Sequence, residues 1–201
     1  MRLKPLILVP AAACAVLLVG CSSNDTASDS ANSSVAQSAA DAPAGSVVSK
    51  ACPTGTAGAD TAAEWTVEGT TGSVSVVGQT DSNAPLVTVT TPFAVDETAV
   101  KVLHEGDGAT VTESSTVSVC YVGVDGRDGT TFDSAYQRGE AADFPAAGVI
   151  PGFQQALVGQ KVGSSVAVVI PSKDGYPQGT PDGSIKPGDT LIFALKILTA
   201  Q

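Results

Sequence analysis

The sequence predicts an α+β domain built on an antiparallel sheet over residues 85–201, and three observations predict it. Short runs alternate apolar and polar side chains, the period of a strand with one covered face. Gly and Pro separate these runs at close intervals, which suits hairpins and leaves no room for long helices. A single stretch has helical spacing: Pro151 suits a first helical position, Phe153 and Leu157 stand at i, i+4, and Gly159 can end the turn. About 115 residues are enough for one core.

Taken in order, the chain of 201 residues opens with an export signal over residues 1–20. Arg2 and Lys4 make it positive at the start, residues 6–19 are apolar, and Leu18-Val19-Gly20-Cys21 ends it on small residues and a cysteine. The apolar run falls short of the ~20 residues that span a bilayer. That tetrapeptide resembles a bacterial lipobox, which implies that Cys21 is lipidated and becomes the first residue of an extracytoplasmic, membrane-anchored protein. Loss of the signal leaves 8 basic and 20 acidic residues, a net charge of −12. Such a surface disfavours nucleic acid and anionic headgroups, so the lipid and not a basic patch would hold the chain at a membrane.

Residues 21–49 are mostly Ser, Ala, Asp and Asn and read as a flexible tether, too polar to offset the entropy of ordering. Residues 50–84 contain strand material in Trp65, Val67, Val74, Val76 and Val77, but are too short for a core of their own. We expect a partly ordered extension docked on the main domain. With Cys14 removed and Cys21 lipidated, Cys52 and Cys120 remain, and an oxidising compartment favours a disulfide between them over two free thiols. His104 has no ligand cluster around it, so no metal or other cofactor is expected.

From residue 85 the alternation is clear. Residues 86–90 alternate, residues 99–103 follow an interruption at Pro92, and Val100 and Val102 share a face. Val117, Val119 and Tyr121 point to the core, which puts Cys120 and any bridge to Cys52 on the outer face. Residues 125–130 form a Gly-rich turn in which Asp125 and Asp128 read as turn residues. Val166, Val168 and Ile170 line one strand, and Leu191, Phe193, Leu195 and Ile197 the last. Residues 144–153 hold two prolines, two glycines and four large apolar side chains without a charge. A loop of this kind must cover a core or wall a pocket. We take it as the floor of a binding site, with Gly148 and Gly152 allowing tight bends.

Together the pieces resemble the FKBP family of peptidyl-prolyl cis–trans isomerases. The residues that carry the resemblance are Val119-Cys120-Tyr121-Val122-Gly123, Gly129-Thr130-Thr131-Phe132-Asp133-Ser134, Arg138, Phe144-Pro145 and Val149-Ile150-Pro151-Gly152-Phe153. They continue through Leu157-Val158-Gly159-Gln160-Lys161-Val162-Gly163, Ile170-Pro171, Tyr176 and Ile185-Lys186-Pro187-Gly188-Asp189-Thr190-Leu191-Ile192-Phe193. Each is weak alone; their order over some 95 residues is specific. The resemblance implies a half-barrel antiparallel sheet wrapped around one short helix, with a proline pocket between them. It places Tyr121, Phe132, Val149, Phe153, Ile185 and Phe193 around the substrate. Asp133, Tyr176 and the Ile150 backbone N–H become the catalytic groups, and Arg138 holds Asp133. Its substrates would be X–Pro segments of exported or cell-envelope proteins, met by a monomer.

The residue types suit that chemistry. The barrier to rotating a peptide bond, about 18–20 kcal/mol, comes from amide resonance and needs no nucleophile or metal to overcome. A dry aromatic pocket disfavours the polar planar amide and suits the twisted transition state. The sequence also departs from the family. Phe153 stands where most members have Trp, Ala141 and Ala142 where some carry another aromatic, Pro177 for the usual Gly, and Lys186 for the first of two prolines. These changes thin the rim. The alternative function is a non-catalytic binding module on the same scaffold, because fold does not fix function. A solute-binding lipoprotein is disfavoured, since a single small domain follows the tether.

Overall fold

The computed structural model describes residues 50–201. The export signal, the tether and Cys21 lie outside the described residues. In chain order the first strands are β1 (Gly55–Thr56), β2 (Trp65–Glu68), β3 (Thr71–Val77), β4 (Asn83–Ala84), β5 (Leu86–Ala94) and β6 (Ala99–His104). Then come β7 (Thr116–Asp125), β8 (Thr131–Ser134), helix α1 (Ala135–Arg138), β9 (Ala142–Pro145), helix α2 (Pro151–Leu157), β10 (Ser165–Ile170) and β11 (Leu191–Ala200). Among the described residues no helix is long and apolar enough to cross a membrane.

The main sheet runs β6, β10, β11, β7, β8, with β9 also paired to β7, and all its pairs are antiparallel. Its register brings the expected apolar positions onto one face. Val168 stands between Val100 and Phe193, Val166 between Val102 and Leu195, and Ile170 beside Leu191. Tyr121 lies opposite Leu195. Register shifts at Ser165/Val166, Ile197/Thr199 and Gly123/Val124 bend the strands and increase their twist.

Helix α2 packs on that face through Phe153, Ala156 and Leu157. Pro151 opens it as expected, and Gly159 follows its end at φ +86°, a conformation that L side chains avoid. Gly152 has a different task from the bend assigned to it. A Cβ there would come within 2.4 Å of Ile170 Cγ2, so the glycine lets the first turn of α2 lie directly on β10. A second, one-turn helix, α1, joins the expected one. Ser134 caps it, its Oγ accepting from the Gln137 N–H at 3.1 Å, and Gly139 ends it at φ 72°.

The larger departure lies behind the main sheet. Residues 50–84 contribute β1 to β4, and β2, β3 and β5 form an antiparallel sheet of their own. Residues 86–94 pair with β3 in that sheet, not with the main sheet. Strand β5 runs through Pro92 to Ala94, which an edge strand permits because an outward position needs no N–H. Val74, Val76 and Phe93 from this back sheet bury against Val124, Ala167, Val169, Ile192 and Ala194. The main sheet is therefore covered on both faces. The disulfide between Cys52 and Cys120 is present and buried, on the face of β7 opposite Tyr121, as alternation requires.

Phe93 is 2% exposed and anchors the second core. Phe93→Ala is expected to cost about 3–5 kcal/mol, the range for emptying a packed aromatic site. Urea unfolding of the variant measures it, and a loss below about 1 kcal/mol would mean that the back sheet is not packed as described.

Candidate active site

Three strands and the start of a helix bring most of the site together. β7 presents Tyr121, β8 presents Phe132 and Asp133, β11 presents Phe193, and the turn into α2 presents Val149, Ile150 and Phe153. The loop before β11 adds Tyr176, and β9 adds Phe144. These residues and Gly148 line one cavity of about 500 Å³.

The walls are an edge-to-face aromatic cluster. The rings of Phe153 and Phe193 stand 5.0 Å apart at 80°, those of Phe132 and Phe193 5.6 Å apart at 87°, and those of Tyr121 and Phe153 6.0 Å apart at 80°. Such T-shaped contacts set the positive edge of one ring against the negative face of the next. Gly123 makes the arrangement possible. A Cβ on it would sit 2.6 Å from Phe132 Cζ and 2.8 Å from Phe193 Cε1, so any other residue would push both rings off the sheet.

Asp133 is held from two sides. The Tyr121 hydroxyl donates to one carboxylate oxygen and the Arg138 guanidinium donates to the other. Arg138 also donates to the Tyr121 hydroxyl at 3.4 Å, and its Cζ lies 5.8 Å from the centre of the Tyr121 ring. Helix α1 creates this geometry by returning Arg138 to Asp133 within one capped turn. Burial would raise the Asp133 carboxyl, but Tyr121 and Arg138 outweigh it and hold it below the ordinary carboxylate value. Burial first, and then the bond to Asp133, push the Tyr121 phenol up to about 12. The pocket therefore offers a fixed negative charge beside a neutral hydroxyl.

Ile150 is the residue before Pro151 at the start of α2, with extended backbone at ψ 148°. Its carbonyl accepts from the Gln154 N–H at 3.0 Å. Its own N–H has no acceptor among the described residues, and the residue lines the cavity. Tyr176 is exposed and also lines the cavity. The loop that carries it is tied back by the Gly179 N–H, which donates to the Tyr176 carbonyl at 3.0 Å, and by the Gly188 N–H, which donates to Ser172 Oγ at 3.1 Å.

Of the residues named from sequence, Asp133, Tyr176, Ile150, Tyr121, Phe132, Val149, Phe153 and Phe193 converge on this cavity, and Arg138 stands behind Asp133. Ile185 does not line it. That side chain is buried at 3% in the core below the Tyr176 loop, where its N–H donates to Thr180 Oγ1 at 3.1 Å. Phe144 is the reverse case. The sequence places it in the loop taken as the floor of the site but among no named site residues, and here it is a wall of the cavity, 5.8 Å from the Tyr121 ring. Its signal was present as a lone aromatic beside Pro145 in an uncharged loop, but only the pairing of β9 with β7 aims it inward.

Residues 108–198 match the family described as FKBP-type peptidyl-prolyl cis-trans isomerase. A probable FK506-binding protein of Corynebacterium glutamicum is 36% identical over 109 residues, which cover 53% of this chain and 90% of that protein. An FK506-binding protein of Streptomyces anulatus is 40% identical over 103 residues, covering 50% of this chain and 83% of the relative. The FKBP-type 22 kDa peptidyl-prolyl cis-trans isomerase of Escherichia coli is 41% identical over 98 residues, and there the chain spans only about half of the relative, 47% of its length. On these matches, in the region that builds the cavity, the chain belongs to the FKBP-type peptidyl-prolyl cis-trans isomerase family.

Proposed function

We propose that this chain catalyses cis–trans isomerisation of X–Pro bonds in exported proteins while anchored to a membrane through a lipid on Cys21. The observation that carries the reading is the cavity itself, lined by six aromatic side chains together with one backbone N–H that has no acceptor among the described residues and one fixed carboxylate. A prolyl ring enters the cleft between Tyr121, Phe132, Phe153 and Phe193 and leaves its water behind. The preceding carbonyl meets the Ile150 N–H, and Tyr176 at the rim bonds a neighbouring carbonyl of the peptide.

Catalysis then needs no proton transfer. In the planar amide the nitrogen lone pair is delocalised and the carbonyl is strongly dipolar. The dry aromatic walls solvate that dipole poorly, whereas the twisted amide has lost much of it and is bound relatively better. The Ile150 N–H and the Tyr176 hydroxyl fix the peptide on both sides of the rotating bond. Asp133, with its charge held in place by Arg138 and Tyr121, supplies a preorganised field that costs no rearrangement during rotation. Uncatalysed, the step takes tens to hundreds of seconds and limits folding, so Pro-containing envelope proteins gain most from it. The lipid anchor rests on Leu18-Val19-Gly20-Cys21 and on the acidic surface, which gives no electrostatic hold on anionic lipid.

Three outcomes check these statements. Tyr176→Phe, which removes one hydrogen bond, and Asp133→Ala, which removes the fixed charge, should each lower kcat/KM on a proline tetrapeptide by at least about tenfold, near 1.4 kcal/mol, with thermal unfolding still cooperative. Unchanged activity in both would refute the assigned roles, and an inactive but folded wild type would leave only a binding module. Activity should also be flat from about pH 5 to about pH 9, because the Asp133 carboxyl, held below its ordinary value, and the Tyr121 phenol, pushed up to about 12, keep their charge states there. Since the folded Asp133 value is lowered, its contribution is complete above the ordinary carboxylate value and is lost only as pH falls through the lower, folded one. A bell centred near neutrality would contradict this. Finally, labelled palmitate should enter the full chain in a bacterial host and fail to enter Cys21→Ser; an unlabelled wild type rejects the anchor.

A further inference from the structure

Residues 50–52 lie outside the family match, which covers residues 108–198, yet they are built onto the wall of the pocket. The Cys52 N–H donates to the Gly139 carbonyl at 3.1 Å, and the Ala141 N–H donates to the Lys50 carbonyl at 2.8 Å. Ala51 forms an antiparallel bridge with Glu140 between them. Lys50 Nζ reaches Asp143 Oδ2 at 2.8 Å, and the disulfide joins Cys52 to Cys120 in the middle of β7. The segment held in this way, residues 139–143, runs from Arg138 to Phe144. One of these positions the catalytic carboxylate and the other is a wall of the cavity.

The second anchor of that wall is short. β9 has four residues and pairs with β7 through Val117 to Phe144 and Val119 to Ala142. Residues 139–141, where the chain leaves α1 and approaches β9, take their ladder bonds from residues 50–52. A strand this short is set by both of its ends, so the position of its N-terminal end decides how far Phe144 leans on Tyr121 and Phe153, whose ring centres lie 5.8 and 6.3 Å away.

We propose that residues 50–52 are a positioning strap for the pocket. Clamped to β7 by the bridge between Cys52 and Cys120, they hold residues 139–143 and so fix where Phe144 stands against the bound proline. The inference rests on the isomerase reading of the cavity. Phe144 touches the prolyl ring in the ground state and the transition state alike. Loosening it removes uniform binding, which raises KM and leaves kcat in place. A purely structural bridge behaves differently. Its loss lowers the folded fraction, which reduces apparent kcat at constant KM.

The test compares the oxidised full chain with the Cys52→Ala/Cys120→Ala double variant, because burial of both sulfurs shields the bridge from reductants in the native protein. KM for a proline tetrapeptide should rise about tenfold, within the range that ångström-scale misplacement produces. Over the same comparison kcat should hold within about twofold, and amide exchange at Ala141 should accelerate. An unchanged KM overturns the proposal, whether or not kcat falls. Should the double variant fail to fold, Lys50→Glu sets two carboxylates against each other at a pair that is 55% and 53% exposed, which the fold does not depend on. There KM should rise in low salt and recover in ~0.5 M salt, where the repulsion is screened, and salt-independent wild-type KM would again overturn the strap. If the wild type bound the peptide without isomerising it, the isomerase reading alone would fail, and the Kd of the same peptide would judge the strap by the same comparison.

Discussion

Burial of the central sheet on both faces is the constraint on which the rest of the molecule depends. Every residue of β10 from Ser165 to Ile170 is buried, and β11 is buried from Leu191 to Leu195. A sheet of this kind needs a cover on each side, because either exposed face would present a continuous apolar surface. One cover is α2, and its shortness matters. Seven residues cannot roof the whole face, so the open end beyond Phe153 becomes the cavity. The other cover is the β2, β3, β5 sheet, which contributes nothing to the cavity lining but lets Ala167, Val169, Ile192 and Ala194 leave water.

Two charged clusters divide the remaining work. At the pocket, Asp133 is half-exposed and held by Tyr121 and Arg138, which keep it ionised beside apolar rings. At the far end of β7, Arg127 meets Asp125 at 2.8 Å, Asp128 and Asp189, and two of these carboxylates are nearly fully buried. Burial pushes the Asp125 carboxyl up, against the pull of the Arg127 N–H, and Asp189 adds to the rise. Asp125 thus closes the turn before β8 by accepting from the Arg127 N–H, and the Arg127 guanidinium ties that turn to the loop before β11 by donating to Asp189. The strand that carries Phe132 and Asp133 is fixed from this end, and the strap of residues 50–52 fixes the wall opposite.

Much of this was legible in the chain. A period of two grouped Val117, Val119 and Tyr121, then Val166, Val168 and Ile170, then Leu191, Phe193, Leu195 and Ile197, as one face of each of three strands. The same runs carry a second signal. Ala167, Val169, Ile192 and Ala194, between the assigned positions, are apolar as well, which is the pattern of a strand covered on both sides. Read that way, the valines of residues 65–77 become the missing cover and not a loose extension. Ile185 and Phe144 exchanged places for a related reason: both are large apolar residues in Gly/Pro loops, and nothing local says which of them turns toward the core and which toward the cavity.

By itself, then, the sequence determined the strands of the main sheet from residue 117 onward, which of their residues share a face, the helix start at Pro151 and a set of side chains able to line an apolar site. These follow from periodicity and from the backbone limits of Gly and Pro, which act within a few residues. Only the tertiary structure decided what touches what across long separations. Cys52 reaches Cys120 over 68 residues, Phe93 fills the space behind Ile192, and Gly152 and Gly123 are required because Ile170 and two phenyl rings come too close for a Cβ. Close packing sets those choices, and it exists only once distant strands have met.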